Sequence, residues 1–216
     1  MRVTPTTFAG KIRFAGLLVV LILMAYFSQA QVIAYRLGYT PEEGDIIFQS
    51  LPHADLVDAI EGITHSPYSH CGVLLKEKGE WVVFESIGHV HGTPLMLWMQ
   101  RGRGAAMAVY RLRPEYQKYR PEFLKQLLAY AGYNYDYDYK ISDDEIYCSE
   151  LPYQAYLKAT GQPLGKLEKL GDLDWKPYEA FIRSVQGNKL PLDREMITPK
   201  SLSEASQLQE VYRRGF

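Results

Sequence analysis

The hydrophobic positions of the chain fall into short, separate runs, several of which predict strands. Residues 46–48 form an apolar run directly after Gly44-Asp45, which indicates a buried strand. Two β-rich runs, 69–75 and 81–86, flank a polar turn that contains glycine, a pattern typical of a β-hairpin. Residues 106–112 are a further strand candidate.

Other segments repeat their hydrophobic residues at spacings of three and four, which predicts amphipathic helices over 54–63 and 115–130. Residues 148–160 predict another helix, which ends at Gly161. Pro152 is tolerated in that helix only in the first turn, where its missing N–H donor matters least. The helix is therefore expected to start at or just before Cys148.

The remaining stretches are less regular. Residues 133–139 alternate tyrosine with Asn or Asp, which is too polar for a core strand and indicates a loop or an extended edge. Residues 177–185 predict a shorter helix, and Thr198 followed by Pro199 is typical of a helix start. No internal repeat and no Pro/Gly/Ser-rich linker divides the chain, so a single domain is expected.

The N-terminal segment has a different character. Three basic residues and no acidic one precede an apolar run over 14–27, which ends in Ser28-Gln29-Ala30. The run is short for a spanning helix, which needs roughly 20 residues, and its end has small residues at both positions that a signal peptidase reads. We expect a signal peptide over residues 1–30 and an exported, periplasmic domain over 31–216. An uncleaved membrane anchor is the alternative.

Composition and charge limit the classes of function that can be expected. The chain is 47% hydrophobic, enough for a sizeable core, and its formal net charge is −1. A surface that reads phosphates needs an excess of basic residues, so no nucleic-acid partner is expected.

The residue that most strongly suggests chemistry is Cys148. A thiol at a helix N-terminus is favoured as a thiolate, and a neighbouring histidine can hold its proton. Of the five histidines, His70 opens a predicted strand, from which its side chain can project into a cleft. Glu85 ends the partner strand, where antiparallel pairing can bring its carboxylate to His70 as an orienting acceptor.

The other four histidines give weaker indications of a functional site than His70. His53 and His65 lie in predicted loops and are expected to be structural. The spacing of His89 and His91 hints at a metal, but no further ligands stand near them in the sequence, so we expect neither metal nor organic cofactor.

Four segments in a fixed order make the chain resemble the YiiX/YebB-like branch of the NlpC-type cysteine hydrolases, the permuted papain-like amidases. They are 44–48, 69–73, 83–86 and 147–151. The Tyr/Asp run over 135–139 and the Ile-Thr-Pro sequence at 197–199 resemble that branch as well. The likeness extends over roughly residues 40–205.

This resemblance implies an α+β fold that is a circular permutation of papain, with the histidine before the cysteine in the chain. An antiparallel, partly barrel-like sheet would supply His70 and Glu85, and a helix packed on it would present Cys148. Cys71 would point to the opposite face of its strand from His70, as a packed thiol. The third triad position varies among relatives, which makes Glu85 the least secure assignment.

The predicted function is hydrolysis of an amide bond through an acyl thioester, in a cell-wall peptide or a related N-acyl amide. One alternative is a lipid acyl-ester or thioester hydrolase or an acyltransferase, for which an exposed apolar segment 94–99 beside the cleft would argue. Another is a non-enzymatic envelope domain stapled by a disulfide between Cys71 and Cys148.

Overall fold

The structure is a computed structural model that describes residues 38–142 and 144–216. The predicted signal peptide therefore lies outside the described residues. The chain divides into two compact units, Met1–Pro41 and Glu42–Phe216, and the elements below all belong to the second. Among the described residues, no helix is long and apolar enough to cross a membrane.

A six-stranded antiparallel sheet forms the centre of the second unit. Its strands lie in the order β4-β3-β2-β1-β5-β8, and a separate two-stranded sheet pairs β6 with β7. The strands are β1 (Ile46–Gln49), β2 (His70–Glu77), β3 (Glu80–Ile87), β4 (His89–Pro94), β5 (Met107–Leu112), β6 (Glu168–Lys169), β7 (Glu195–Met196) and β8 (Leu208–Arg214).

Helices pack around this sheet, so the fold is α+β, as expected. The α-helices are α1 (Asp55–Thr64), α2 (Leu95–Arg101), α3 (Arg120–Leu128), α4 (Glu150–Thr160), α5 (Glu179–Val185) and α6 (Pro199–Ser203). Short 3-10 helices occur at Arg103–Ala105, Pro114–Tyr119, Leu170–Asp172 and Lys176–Tyr178.

The predicted hairpin is β2 and β3, joined by a turn of two residues. Lys78 and Gly79 both have positive φ, 49° and 89°. Tight hairpins favour such a turn because its twist matches that of the strands it joins. The expected strands at 46–48 and 106–112 are β1 and β5, and they pair with each other.

The expectation of one continuous helix over 115–130 was wrong at its N-terminal half. Residues Pro114–Tyr119 form a 3-10 helix, and α3 begins only at Arg120. Pro121 explains the change, because proline lacks the N–H that an interior helical position donates and crowds the preceding turn. Proline is tolerated in a first turn, which is where Pro121 lies in α3.

The helix that follows Cys148 matches its prediction closely. It is α4, it ends at Gly161 with φ 72°, and Pro152 lies in its first turn. The helical hydrogen bonding already includes the residue before Cys148, because the Leu151 N–H donates to the Tyr147 carbonyl at 3.1 Å. Cys148 therefore stands where the helix starts.

The two faces of the central sheet are covered by different elements. On one face, buried residues of β1 and β2 share a core with residues of α3 and α4, among them Phe48, Val73, Phe123 and Leu151. Because side chains alternate along a strand, His70 and Glu85 belong to the other face. That face is covered by α2, whose Trp98 donates a hydrogen bond to Glu85.

Candidate active site

His70 is the first residue of β2 and lies opposite Gln49 of β1. Its backbone is held by the strand pairing, and the preceding residue, Ser69, donates its N–H to the Gln49 carbonyl at 3.1 Å. The residue is 3% exposed. The imidazole is therefore fixed at the end of the strand.

Glu85 reaches His70 across the pairing of β2 with β3, as the sequence predicted. Its Oε2 lies 2.5 Å from His70 Nε2. Gly72 makes this close packing of the two strands feasible, since a Cβ at that position would lie 2.5 Å from Val83 Cγ1 and 3.1 Å from Glu85 Cβ. The predicted orienting carboxylate is thus in hydrogen-bonding contact with the predicted base.

Cys148 comes to the same place from the helical side. It is buried, and Cys71 and His70 are the groups that lower the pKa of its thiol. Because Nε2 of His70 is bonded to Glu85, Nδ1 is the ring nitrogen that remains for Cys148. The three residues predicted from the sequence therefore lie together: Glu85 is hydrogen-bonded to His70, and His70 and Cys148 are close enough to shift each other's pKa.

Cys71 differs from its expectation in one respect. As expected, it is buried in the core cluster on the other face from His70. However, Cys148 belongs to the same cluster, and Cys71 lowers the pKa of the Cys148 thiol. Both cysteines are free thiols. Burial and the contact with Cys148 raise the pKa of Cys71 well above its ordinary value, so Cys71 is the protonated partner.

The surroundings favour a thiolate at Cys148. The hydrogen bond with Cys71 lowers its pKa most; burial acts against this, and the hydrogen bond and charge of His70 lower the pKa further. The resulting pKa of Cys148 is well below the ordinary value of 9.0. These influences favour the thiolate, which is the nucleophilic form of a cysteine.

His70 and Glu85 are charged in the same state. Burial disfavours the imidazolium, but hydrogen bonds to Cys148 and Glu85 outweigh burial and raise the pKa of His70 to about 9. Burial likewise disfavours the Glu85 carboxylate, but the bonds from His70, Arg101 and Thr93 lower its pKa to about 2. The pKa shifts of the three groups thus all favour their charged forms: a thiolate, an imidazolium and a carboxylate.

Three residues around Glu85 were not found from the sequence. Trp98 Nε1 and Arg101 Nη2 of α2 donate to Glu85 Oε2 at 2.8 and 2.5 Å, and Thr93 Oγ1 of β4 donates to Oε1 at 2.6 Å. A signal was present: Trp98 and Arg101 are three residues apart, so they share one face of a helix. The polar groups on an otherwise apolar helix face were not interpreted as partners for a buried carboxylate.

A cleft of about 170 Å³ opens beside His70. Its walls come from α1, from the end of β3 and from the tyrosine-rich loop, which contributes Tyr135 and Tyr137. The Tyr135 hydroxyl lies 3.1 Å from that of Tyr139. Burial, the charge of Tyr139 and that of Cys148 raise the pKa of Tyr135, so its hydroxyl stays protonated. The polar loop expected over 133–139 is thus one wall of the cleft.

A second pocket, of about 80 Å³, lies next to this cleft and shares Leu56 and Ile60 of α1 with it. Its walls are mainly apolar side chains of α1 and α5, and Gln186 and Arg194 are its polar members. The region around the cleft therefore offers a large apolar surface.

The other histidines have different surroundings, although His91 lies opposite Glu85 in the pairing of β3 with β4. His53 pairs with Asp58 at 2.6 Å and His65 with Asp174 at 3.2 Å. The rings of His89 and His91 stack at 4.5 Å, and among the described residues no group of three or more His, Cys, Asp or Glu is placed to hold a metal ion.

The apolar segment over 94–99 is mostly the start of α2. Leu95, Trp98 and Met99 are buried, while Met96 and Leu97 are 37% and 58% exposed. The segment is thus chiefly a packed helix face.

Comparisons with known proteins agree with this geometry. The family model described as "Permuted papain-like amidase enzyme, YaeF/YiiX, C92 family" matches residues 40–212. The chain is 32% identical over 177 residues to the uncharacterized protein YiiX of Escherichia coli strain K12, an alignment that covers 81% of this chain and 87% of YiiX.

A solved structure is similar as well. A crystal structure of YiiX from Escherichia coli O157:H7, described as a metalloprotein, superposes with a TM-score of 0.76 at 32% identity and covers 82% of this chain and 99% of that one. The family match includes β1 to β5, most of β8, α4 and the residues His70, Glu85 and Cys148. The chain therefore belongs to the permuted papain-like amidases of the YaeF/YiiX family, and its chemistry is that of a cysteine hydrolase.

Proposed function

We propose that this protein cleaves an amide bond through an acyl thioester, with Cys148 as nucleophile, His70 as acid and base, and Glu85 as the group that orients His70. The observation that carries the proposal is the 2.5 Å hydrogen bond between His70 and Glu85, beside a buried Cys148 whose pKa His70 lowers. The low pKa of Cys148 and the raised pKa of His70 supply the reactive ion pair.

In the first half of the reaction, the Cys148 thiolate attacks the carbonyl carbon and an S–C bond forms. A helix start generally leaves backbone N–H groups without intrahelical partners, and in this mechanism the N–H groups next to Cys148 steady the oxyanion. His70 then gives its proton to the leaving nitrogen as the C–N bond breaks. This step releases an amine and leaves a thioester on Cys148.

In the second half, neutral His70 takes a proton from water at Nδ1, and the hydroxide attacks the thioester carbonyl. The C–S bond breaks, the acid leaves, and the ion pair of Cys148 and His70 is restored. Throughout, the bond of Nε2 to Glu85 holds the imidazole in one orientation.

We propose as substrate an amide of a cell-wall peptide or a related N-acyl amide, met outside the cytoplasm. Export rests on the N-terminal sequence, whose basic residues, apolar run and small residues are those of a signal peptide. The cleft beside His70 is large enough for groups on one side of the scissile bond.

No metal is part of this proposal, although the structure of YiiX is described as that of a metalloprotein. The described residues do not assemble three or more candidate ligands in one place. The stacked pair His89 and His91 has no further candidate ligand grouped with it among the described residues, and the proposed mechanism uses no metal.

A second candidate is a lipid acyl-ester or thioester hydrolase or an acyltransferase. The pocket beside the cleft favours it, because the walls of this pocket are mainly apolar, as the binding of an acyl chain requires. The chemistry at Cys148 would be the same, with an alcohol or thiol as the leaving group. The exposed residues Met96 and Leu97 add little to this candidate, since most of α2 is packed against the sheet.

The test is to incubate the purified protein with muropeptides, N-acyl amides and acyl-lipid esters and to follow products by mass spectrometry. C148A should lose turnover while its circular dichroism spectrum is unchanged. H70N should lose it too, whereas H65N, which changes an exposed histidine away from the cleft, should retain it. Undiminished turnover by C148A would refute the mechanism, and the substrate class that is consumed decides between the two candidates.

A further inference from the structure

The oxygen Oε2 of Glu85 accepts hydrogen bonds from side chains of two different elements. His70 Nε2 of β2 lies at 2.5 Å, and Trp98 Nε1 and Arg101 Nη2 of α2 lie at 2.8 and 2.5 Å. The other oxygen accepts from Thr93 of β4, whose hydroxyl also lies 3.3 Å from His91 Nε2. The carboxylate is completely buried.

These partners do not play the same electrical role. Trp98 and Thr93 are neutral, so they fix where the two carboxylate oxygens lie without changing the net charge around them. His70 and Arg101 are the cations in contact with Glu85. One carboxylate is therefore shared by two positive groups.

The second cation, Arg101, matters in the step of the catalytic cycle in which His70 is neutral. After His70 has protonated the leaving amine, a buried carboxylate without another cation would be costly, and the proton would be favoured on Glu85. A protonated Glu85 would donate to Nε2 and force the ring proton onto Nδ1, the nitrogen that must accept a proton from water.

We propose that Arg101 is a positioning residue of this site, which keeps Glu85 a carboxylate while His70 is neutral and limits how tightly Glu85 holds the proton of His70. The inference rests on the proposed function, because it assigns a role within the same cycle. Arg101 acts only through Glu85, and its own side chain is 29% exposed at the edge of α2.

The charge can be separated from the hydrogen bond by substitution. In R101Q, an N–H donor remains near Glu85 but the positive charge is lost; R101K keeps the charge on a different head group. W98F removes a neutral donor to the same oxygen and serves as the matched control. Thr93 and Trp98 still hold both carboxylate oxygens in R101Q.

The measurement is a titration of the His70 imidazole by ¹⁵N NMR between pH 5 and 11, with H70N identifying its signals. R101Q removes a positive charge that repels the His70 imidazolium. The pKa of His70 should therefore rise by about one unit in this variant. R101K and W98F should titrate close to the wild type. If Arg101 were merely structural, Glu85 would loosen and the pKa of His70 would fall.

An unchanged or lowered pKa of His70 in R101Q would overturn the proposal. Should circular dichroism show that R101Q is unfolded, R101M is titrated in its place and the same outcomes apply. The titration uses no substrate, so it separates this inference from the proposed function, which fails only if C148A retains turnover.

Discussion

Replacing Glu85 by glutamine should cost the protein stability at neutral pH, and the cost should disappear in acid. E85Q keeps the shape of the side chain and removes its charge. In the folded protein, hydrogen bonds and the charge of His70 outweigh burial and lower the pKa of Glu85 from 4.5 to about 2. At 1.36 kcal/mol for each tenfold change in proton affinity, this difference corresponds to about 3 kcal/mol.

The direction of the pH dependence follows from the sign of the shift. Because the pKa is lower in the folded state than in the unfolded one, the stabilisation is present above pH 4.5. It is lost as the pH falls through about 2, where the folded protein must also take up the proton. Wild type and E85Q should therefore differ most near neutral pH and converge in acid.

The assay is urea unfolding of wild type and E85Q at several pH values between 7 and 2, followed by circular dichroism. E122Q is the control, because Glu122 is an exposed carboxylate that pairs with Lys125 on the surface and such pairs contribute little. A difference between wild type and E85Q that stays constant with pH would refute the reasoning, as would an acid-dependent difference of the same size in E122Q.

Two further predictions concern neighbours of Cys148. C71A should raise the pKa of Cys148, because the Cys71 hydrogen bond is the strongest influence lowering it. Alkylation of Cys148 by iodoacetamide, read on its tryptic peptide by mass spectrometry, should then slow at pH 6 and less at pH 9; identical pH profiles would contradict this. Glu150 is buried, and burial raises its pKa from 4.5 to about 7. Its charge therefore costs stability as the pH rises from 4.5 through 7, so E150Q should gain up to about 3 kcal/mol relative to wild type between pH 4.5 and 8, and urea unfolding that shows no such gain would contradict it.

The sequence by itself determined the elements around the site. Alternation and turn chemistry specified the β2–β3 hairpin, since only a few residue pairs suit a two-residue turn with positive φ. Pro152 and Gly161 bounded α4, because each residue type is restricted to particular ends of a helix. Pro121 carried the same kind of signal, and the error over 115–130 came from giving periodicity more weight than proline.

The three residues His70, Glu85 and Cys148 could also be proposed in advance, since His70 and Cys148 lie at element ends and Glu85 lies near the end of β3. The contacts that these residues make with the rest of the protein could not be predicted from the sequence. Which groups meet a buried carboxylate depends on how α2 lies across the sheet, and that is set by long-range packing of Trp98 and its neighbours.

Cys71 illustrates the same limit. Strand alternation places it on the opposite face from His70, which is correct, but the sequence alone gives no reason to connect that face with Cys148. Only the tertiary structure carries α4 onto the face of Cys71 while His70, at the very end of β2, contacts Cys148 from the strand edge. Sequence periodicity specifies the direction of a side chain within its own element, whereas the distance between two elements is decided by the packing of the whole core.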